Sequence, residues 1–215
     1  MTAGMKNSCS FLHVETNHGI YTDILKKEDH RADSASRQEQ KEMEDRIYEI
    51  YTDDSGAFTV GRVVARNDDD IVFMGIDEEG KASAYYAMPL KTVKEMVPDT
   101  PYLQKIRKYM QYAAGHPYSA WFTLPELTLN PEGPVLTQVL RTAEREDALV
   151  TVCRIGEDEL LCGYVRGIEK GRVLLDCVDP ETAEDLPQVK LRIKDLEYVE
   201  YGSIANMLLR FANRN

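Results

Sequence analysis

The sequence lacks the short motifs that mark the common catalytic folds. Its 215 residues contain no Gly-x-x-x-x-Gly-Lys-Ser/Thr loop, no Gly-x-Gly-x-x-Gly fingerprint, no Gly-x-Ser-x-Gly elbow and no His-Glu-x-x-His pair. Histidine is scarce as well: there are 4, in unlike contexts, and none follows His116. A catalytic cysteine in the C-terminal half would therefore have no base close to it in sequence. We predict that the chain is not an enzyme and has no catalytic residue.

Closely spaced metal ligands are also missing. Cys9, His13 and His18 supply sulfur and imidazole groups, but zinc sites usually take four ligands in tighter pairs. The acidic run Asp68-Asp69-Asp70 lacks the alternating ligands and the glycine of a calcium loop. Both stretches are more typical of solvated surface segments, so we predict no metal and no cofactor.

Long apolar runs are absent, and cysteine is sparse. No stretch approaches the roughly 20 apolar residues that a membrane-spanning helix needs, and the first residues are small and polar rather than typical of a secretion signal. The 4 cysteines are irregularly spaced. Cys153, Cys162 and Cys177 are better explained as small buried side chains than as a redox set. We expect a cytoplasmic protein with reduced thiols and no membrane partner.

No segment of the chain is strongly basic. The chain carries 26 Lys and Arg against 37 Asp and Glu, which gives a net charge of −11. Residues 57–118 are balanced, whereas the segments before and after them are acidic. Because neutralisation of phosphate supplies most nonspecific nucleic-acid affinity, this distribution disfavours DNA and RNA as partners. It leaves room for a local basic patch.

The sequence does contain an internal repeat. Gly61-Arg-Val63 and Gly163-Tyr-Val165 lie in similar apolar stretches and are separated by 102 positions. Three further landmarks recur at this spacing or one position more, which predicts a duplicated unit. They are the apolar runs that begin at Ile71 and Val173, the aspartates Asp77 and Asp179, and the pair Leu90 and Ile193, which is 103 apart.

Each unit is predicted to contain short strands followed by a helix. Residues that favour turns separate the apolar runs, and Thr100-Pro101 and Ser203 are typical helix starts. The clearest strand is Ala148–Ile155, and Ile47–Thr52 is its expected counterpart in the first copy. The predicted helices are Ser36–Ile50, Pro101–Tyr112, Pro134–Asp147 and Ile204–Ala212.

This order of elements resembles the Sm-like family, small barrels that often form rings and often bind RNA. The resemblance is carried by the leading helix Pro134–Asp147, the first strand Leu149–Ile155 and the Gly-x-Val segment Leu160–Val165. It implies a mainly β protein with helices (α+β), built as two tandem Sm-like or SH3-like small barrels, each followed by a C-terminal helix. The RNA-contact pattern is not matched, because Ile168-Glu-Lys-Gly171 lacks Asp and Asn and neither copy has the family's Arg-Gly.

The repeat divides the chain into four segments. Residues 1–35 are predicted to be an N-terminal arm, 36–114 the first helix–barrel–helix repeat, 115–133 a connector containing proline, and 134–215 the second repeat.

Aromatic residues concentrate in the first repeat and the connector, and they are the candidate partner-binding residues. The alternative interpretation is that they pack the first barrel against the connector and its helix. The candidates are Tyr85, Tyr86, Tyr102, Tyr109, Trp121 and Phe122.

Two functions therefore compete. The leading hypothesis is a non-enzymatic binding or assembly module that acts through protein–protein contacts, including contacts with another copy through exposed barrel edges. The alternative is an Sm-like protein that binds RNA or single-stranded nucleic acid, with Lys105, Arg107 and Lys108 beside aromatic side chains on one helix.

Overall fold

The structure, a computed structural model, describes residues 46–53, 55–116, 122–157 and 159–215, which lie in one structural unit. They form a mainly β protein with helices, as predicted. The predicted arm and most of the first predicted helix lie outside the described residues. The strands of the first half are β1 (Ile47–Tyr51), β2 (Thr59–Arg66), β3 (Asp70–Ile76), β4 (Ala82–Pro89) and β5 (Glu95–Pro98). Those of the second half are β6 (Leu149–Arg154), β7 (Leu160–Glu169), β8 (Arg172–Val178), β9 (Val189–Arg192) and β10 (Leu196–Tyr201). The helices are α1 (Pro101–Ala114), α2 (Val135–Arg145) and α3 (Ile204–Arg214).

All of these strands belong to a single antiparallel sheet. Its order is β5-β1-β2-β3-β4-β10-β6-β7-β8-β9, so β5 and β9 are its two edges. No pairing joins the two edges within the part of the chain that the structure describes, and the sheet is therefore not closed. The structure does not confirm the two separate barrels expected from the sequence.

The two halves of the sheet repeat one topology. The order β5-β1-β2-β3-β4 of the first half recurs as β10-β6-β7-β8-β9 in the second. The register shift between Val63 and Ala65 in β2 recurs between Val165 and Gly167 in β7, again 102 positions later. Single-residue bulges rarely recur by accident, because each bends one strand at a defined place. The internal repeat is therefore present in the fold as well as in the sequence.

Side-chain caps begin two of the three helices. The N–H of Leu103 donates to the hydroxyl of Thr100, and the N–H of Asn206 donates to the hydroxyl of Ser203. Pro101 occupies the first helical position of α1, where its missing N–H is no loss. The predicted helix starts are confirmed at both places.

The predicted helix Ser36–Ile50 is wrong at its C-terminal end, because Ile47–Tyr51 is a strand. Ile47 contacts the cluster of Leu103 and Ile106, whereas Ile50 contacts Val63 and other residues on the opposite face of the sheet. A strand buried on both faces can place apolar residues three apart, which imitates helical spacing. The alternative strand assignment for Ile47–Thr52 is confirmed to within one residue.

One core spans both halves. Helix α2 buries Val135, Leu136, Val139, Leu140 and Ala143 against strands of the second half. The same cluster contains Ala65, Val72 and Ala87 of the first half. Because burial of apolar surface contributes about 25 cal/mol per Å², this shared cluster holds the two halves together.

No helix among the described residues is long and apolar enough to cross a membrane.

Candidate functional site

The two repeats meet where β4 pairs with β10. The register is Val199 with Ala87, Glu200 with Tyr86, and Tyr201 with Tyr85. We call this pairing the junction. It joins the last strand of the first half-sheet to the equivalent of β5 in the second, so an edge of one repeat covers an edge of the other.

Stacked tyrosines reinforce the junction on both faces of the sheet. Tyr85 stacks on Tyr201 with 6.2 Å between ring centroids, and Tyr86 meets Tyr198 edge-to-face at 6.1 Å. Aromatic pairs at these distances add about 0.5–1.5 kcal/mol beyond the area they bury. Burial raises the pKa of Tyr198 to about 12 and also raises the pKa values of Tyr86 and Tyr201, so all three hydroxyls stay protonated at neutral pH.

The outer edges of β5 and β9 are not paired with another strand among the residues that are described. Strand β5 pairs only with β1, and β9 pairs only with β8. Both are four residues long. Unpaired edges offer rows of backbone donors and acceptors to another strand. Lys190 and Pro98 lie on these edges and restrict which strands can pair with them.

The six candidate aromatic residues do not form one platform. Tyr85 packs against the shared core and donates its hydroxyl to the carbonyl of Pro125 at 3.2 Å. Tyr86 lies on the opposite face of β4, stacked on Phe73. Tyr102 and Tyr109 are on α1, Phe122 lines a groove beside that helix, and Trp121 lies outside the described residues.

The candidate basic residues of α1 are partly engaged within the protein. Arg107 forms an ion pair with Asp99 at 2.8 Å. The ammonium group of Lys105 lies 4.2 Å from the ring centroid of Tyr102 and 5.6 Å from that of Tyr109. Lys108 is exposed. The helix therefore offers one ammonium group without such a contact rather than a basic stripe.

A different basic site, which the sequence did not reveal, is lined by residues of both repeats. It is an open cavity of about 640 Å³. We call it the basic cleft. Its charged residues are Lys91, Asp69 and Asp70 from the first repeat and Lys170, Arg172, Arg192 and Lys194 from the second.

Turn geometry and strand pairing place these cations. Lys170 and Gly171 have φ values of 49° and 71°, the left-handed conformation of a two-residue hairpin turn. That turn brings Arg172 onto β8, directly opposite Arg192 on β9. Lys91 and Lys194 occupy equivalent positions in the two 3-10 turns Leu90–Thr92 and Ile193–Asp195.

One of the two acidic groups of the cleft, that of Asp70, accepts a hydrogen bond from α2. The N–H of Leu136, at the start of α2, donates to a carboxylate oxygen of Asp70 at 3.4 Å. Burial raises the pKa of Asp70, although this hydrogen bond opposes the change. Asp70 thus acts as a cap for α2 that comes from the other repeat.

Sequence reasoning missed the basic cleft because its members are distant in the chain. Lys91 and Lys194 are 103 residues apart, and each lies in a segment whose total charge is neutral or acidic. The internal repeat was the one signal that could have indicated the cleft. Equivalent loops of the two copies can lie close together when the copies pair through their edge strands.

The buried cysteines fit the structural interpretation. Cys153, Cys162 and Cys177 are buried. Burial raises the pKa values of Cys162 and Cys177, which lowers the fraction of reactive thiolate. Among the described ranges, no three His, Cys, Asp or Glu side chains form a group that could hold a metal ion. Cys9, His13 and His18 lie outside those ranges.

Comparison of the chain with family models, curated proteins and solved structures gives no match.

Proposed function

We propose that the chain is a non-enzymatic assembly module whose copies join edge to edge, each chain contributing two units of the Sm-like or SH3-like small-barrel type. The observation that carries this proposal is the junction. Within the described residues, one chain contains one complete pairing between a β4-type and a β5-type edge, and one edge of each type has no neighbouring strand.

The open edges are equivalent to the paired ones. Strand β9 corresponds to β4, and β5 corresponds to β10. Because a β4-type edge pairs with a β5-type edge within the chain, the corresponding edges β9 and β5 can pair between two chains. Such a contact is heterologous, because β9 of one copy meets β5 of the next, and it generates a ring or an open chain.

The junction also predicts the register of the contact between chains. At the junction, Glu200 pairs with Tyr86. The equivalents of these residues at an offset of 103 positions are Val97 on β5 and Val189 on β9, so these two should pair between chains. The neighbouring pairs would be Met96 with Lys190 and Pro98 with Gln188.

The nucleic-acid alternative on α1 remains a prediction without added support. The ion pair of Arg107 and the aromatic contacts of Lys105 reduce the charge that the helix can present to phosphate.

The first test is the molar mass of the full chain in solution. The chain has a mass of 24.5 kDa, and light scattering after size exclusion should give an integral multiple of it. A monomer at about 100 μM, a concentration that would populate even a weak complex, would end the proposal.

The second test addresses the register by cross-linking. A Val97→Cys chain and a Val189→Cys chain, both with Cys9→Ser, are mixed and treated with a short bismaleimide. Directly opposite residues have Cβ atoms about 4.5–5.5 Å apart, so a cross-linked dimer should form in the mixture but not from either chain alone. The matched control replaces Val189→Cys with Glu181→Cys, an exposed position before β9. Equal cross-linking in the control would show that the contact has no defined register.

A further inference from the structure

The basic cleft concentrates positive charge in an acidic protein. Its five basic side chains face two carboxylates, whereas the whole chain has a net charge of −11. A neighbouring cavity is lined by Lys91, Arg172, Arg192 and Lys194 again, and adds Arg154 and Lys190. Clustering of this kind raises the local concentration of anions.

Most of these cations are not neutralised by the protein. Arg192 forms an ion pair with Asp195 at 2.5 Å. Lys91, Lys170, Arg172 and Lys194 have no carboxylate within ion-pair distance in the part of the chain that is described.

One pair of cations is placed at a cost to stability. Arg172 lies directly opposite Arg192 across β8 and β9, and opposite Glu169 across β8 and β7. The like charges of the arginine pair are destabilising in that position. The equivalent pair in the first repeat is Asp70 opposite Pro89. The repulsion is therefore a feature of the second repeat alone, and a bound anion would relieve it.

The chemistry of the lining defines the ligand. Guanidinium groups bind phosphate through two parallel hydrogen bonds. Cations that come from both repeats call for more than one phosphate group. No aromatic residue lines the cleft among the described positions, so it lacks the stacking platform by which proteins hold single-stranded bases.

We propose that the basic cleft binds a small, phosphate-dense anion without a base, of the inorganic oligophosphate class. Arg172 and Arg192 hold one phosphate group between them, and Lys91, Lys170 and Lys194 contact its neighbours. The site lies within one chain, so this proposal does not depend on self-association.

Isothermal titration of the full chain with inorganic tripolyphosphate tests the proposal. Saturable binding is expected with one site per chain and weaker binding of orthophosphate. Arg172→Gln and Arg192→Gln should each weaken binding about 10- to 150-fold, since a hydrogen bond to a charged group contributes about 1.5–3 kcal/mol. Lys105→Gln and Lys108→Gln on α1 remove the same charge elsewhere and should leave binding unchanged.

Two results would overturn the proposal. The first is no saturable binding, or equal weakening by the α1 variants, because either shows that the cleft is not a site. The second is binding of an oligouridylate with three phosphates about 100-fold tighter than tripolyphosphate, because two stacked bases contribute that much and the ligand would then be a nucleic acid. Circular dichroism should show that both arginine variants are folded, which separates lost binding from lost structure.

Discussion

Leu103 and Asn206 occupy the same position in the first turns of α1 and α3. Giving each position the residue of the other tests how each helix packs against its half of the sheet. Leu103 is fully buried against Ile47 and Ile106. Asn206 is only 4% exposed. Its Oδ1 accepts a hydrogen bond from the hydroxyl of Thr151 at 2.8 Å, and its Nδ2 is buried with no hydrogen-bond partner among the described residues.

Asn206→Leu should stabilise the protein. It removes an unsatisfied buried donor, which costs about 1–3 kcal/mol. It also removes the acceptor of the Thr151 hydroxyl, which keeps the sulfur of Cys162 at 3.4 Å as a partner, so the lost hydrogen bond costs about 0.5–1.5 kcal/mol. A cavity of about 210 Å³ beside Asn206 gives room for the larger side chain. The net gain should be about 1 kcal/mol. Leu103→Asn has the opposite effect, because it loses about 1.5–3 kcal/mol of apolar burial and buries an amide.

Urea denaturation followed by circular dichroism measures both changes. Leu103→Ala is the control for lost volume alone, expected to cost about 2–5 kcal/mol. A loss of stability above about 1 kcal/mol in Asn206→Leu would refute the reasoning, because it would mean that the amide makes interactions worth more than its desolvation costs.

Three further predictions follow from single contacts. In a Glu169→Gln background, which removes the opposite charge facing Arg172, Arg172→Gln should raise the free energy of unfolding by about 0.2–1 kcal/mol in the absence of an anion; unchanged or lower stability in urea would contradict the repulsion. Hydrogen bonds from Arg166 and Gln188 lower the pKa of Asp176 below 3.8. The native protein should therefore have a higher free energy of unfolding than Asp176→Asn at neutral pH, and this difference should shrink as the pH falls below 3.8. It should be about 0.2–1 kcal/mol, since the group is mostly exposed; a melting-temperature gap independent of pH would count against it. Leu208→Lys with Phe211→Lys gives α3 the residues of α1 at exposed positions, and the free energy of unfolding in urea should stay within about 0.5 kcal/mol of the native value; a larger loss would show that these side chains are packed.

Local signals predicted much of the fold. The helix starts at Thr100 and Ser203 depend on hydrogen bonds within three residues, and such contacts can be inferred from short segments. The repeated glycines Gly61 and Gly163 give the same strand and the same register in both halves. The strand Ile47–Tyr51 was ambiguous, because a strand buried on both faces carries no simple alternation.

The pairing of the repeats was beyond the reach of the sequence. Ala87 and Val199 are opposite each other at the junction, but nothing in either segment marks the other as its partner. Pairing between strands so far apart in sequence depends on the shape of each half-sheet after it has folded. The basic cleft depends on the same pairing, so Lys91 and Lys194 could not be assigned to one site from net charge.

The residues on the two open edges explain why the proposed assembly would join unlike edges. Two copies of β9 pairing with each other would place Lys190 and Arg192 against the same residues of the partner, and juxtaposed like charges oppose association. Two copies of β5 would bring the acidic Glu95 of one strand beside that of the other, with no basic residue on either strand to offset it. Pairing of β9 with β5 instead places the basic strand beside the acidic one, and it repeats the type of strand pairing that exists at the junction. The proposed assembly would therefore select against pairing of like edges, and further copies would add in one direction, head to tail.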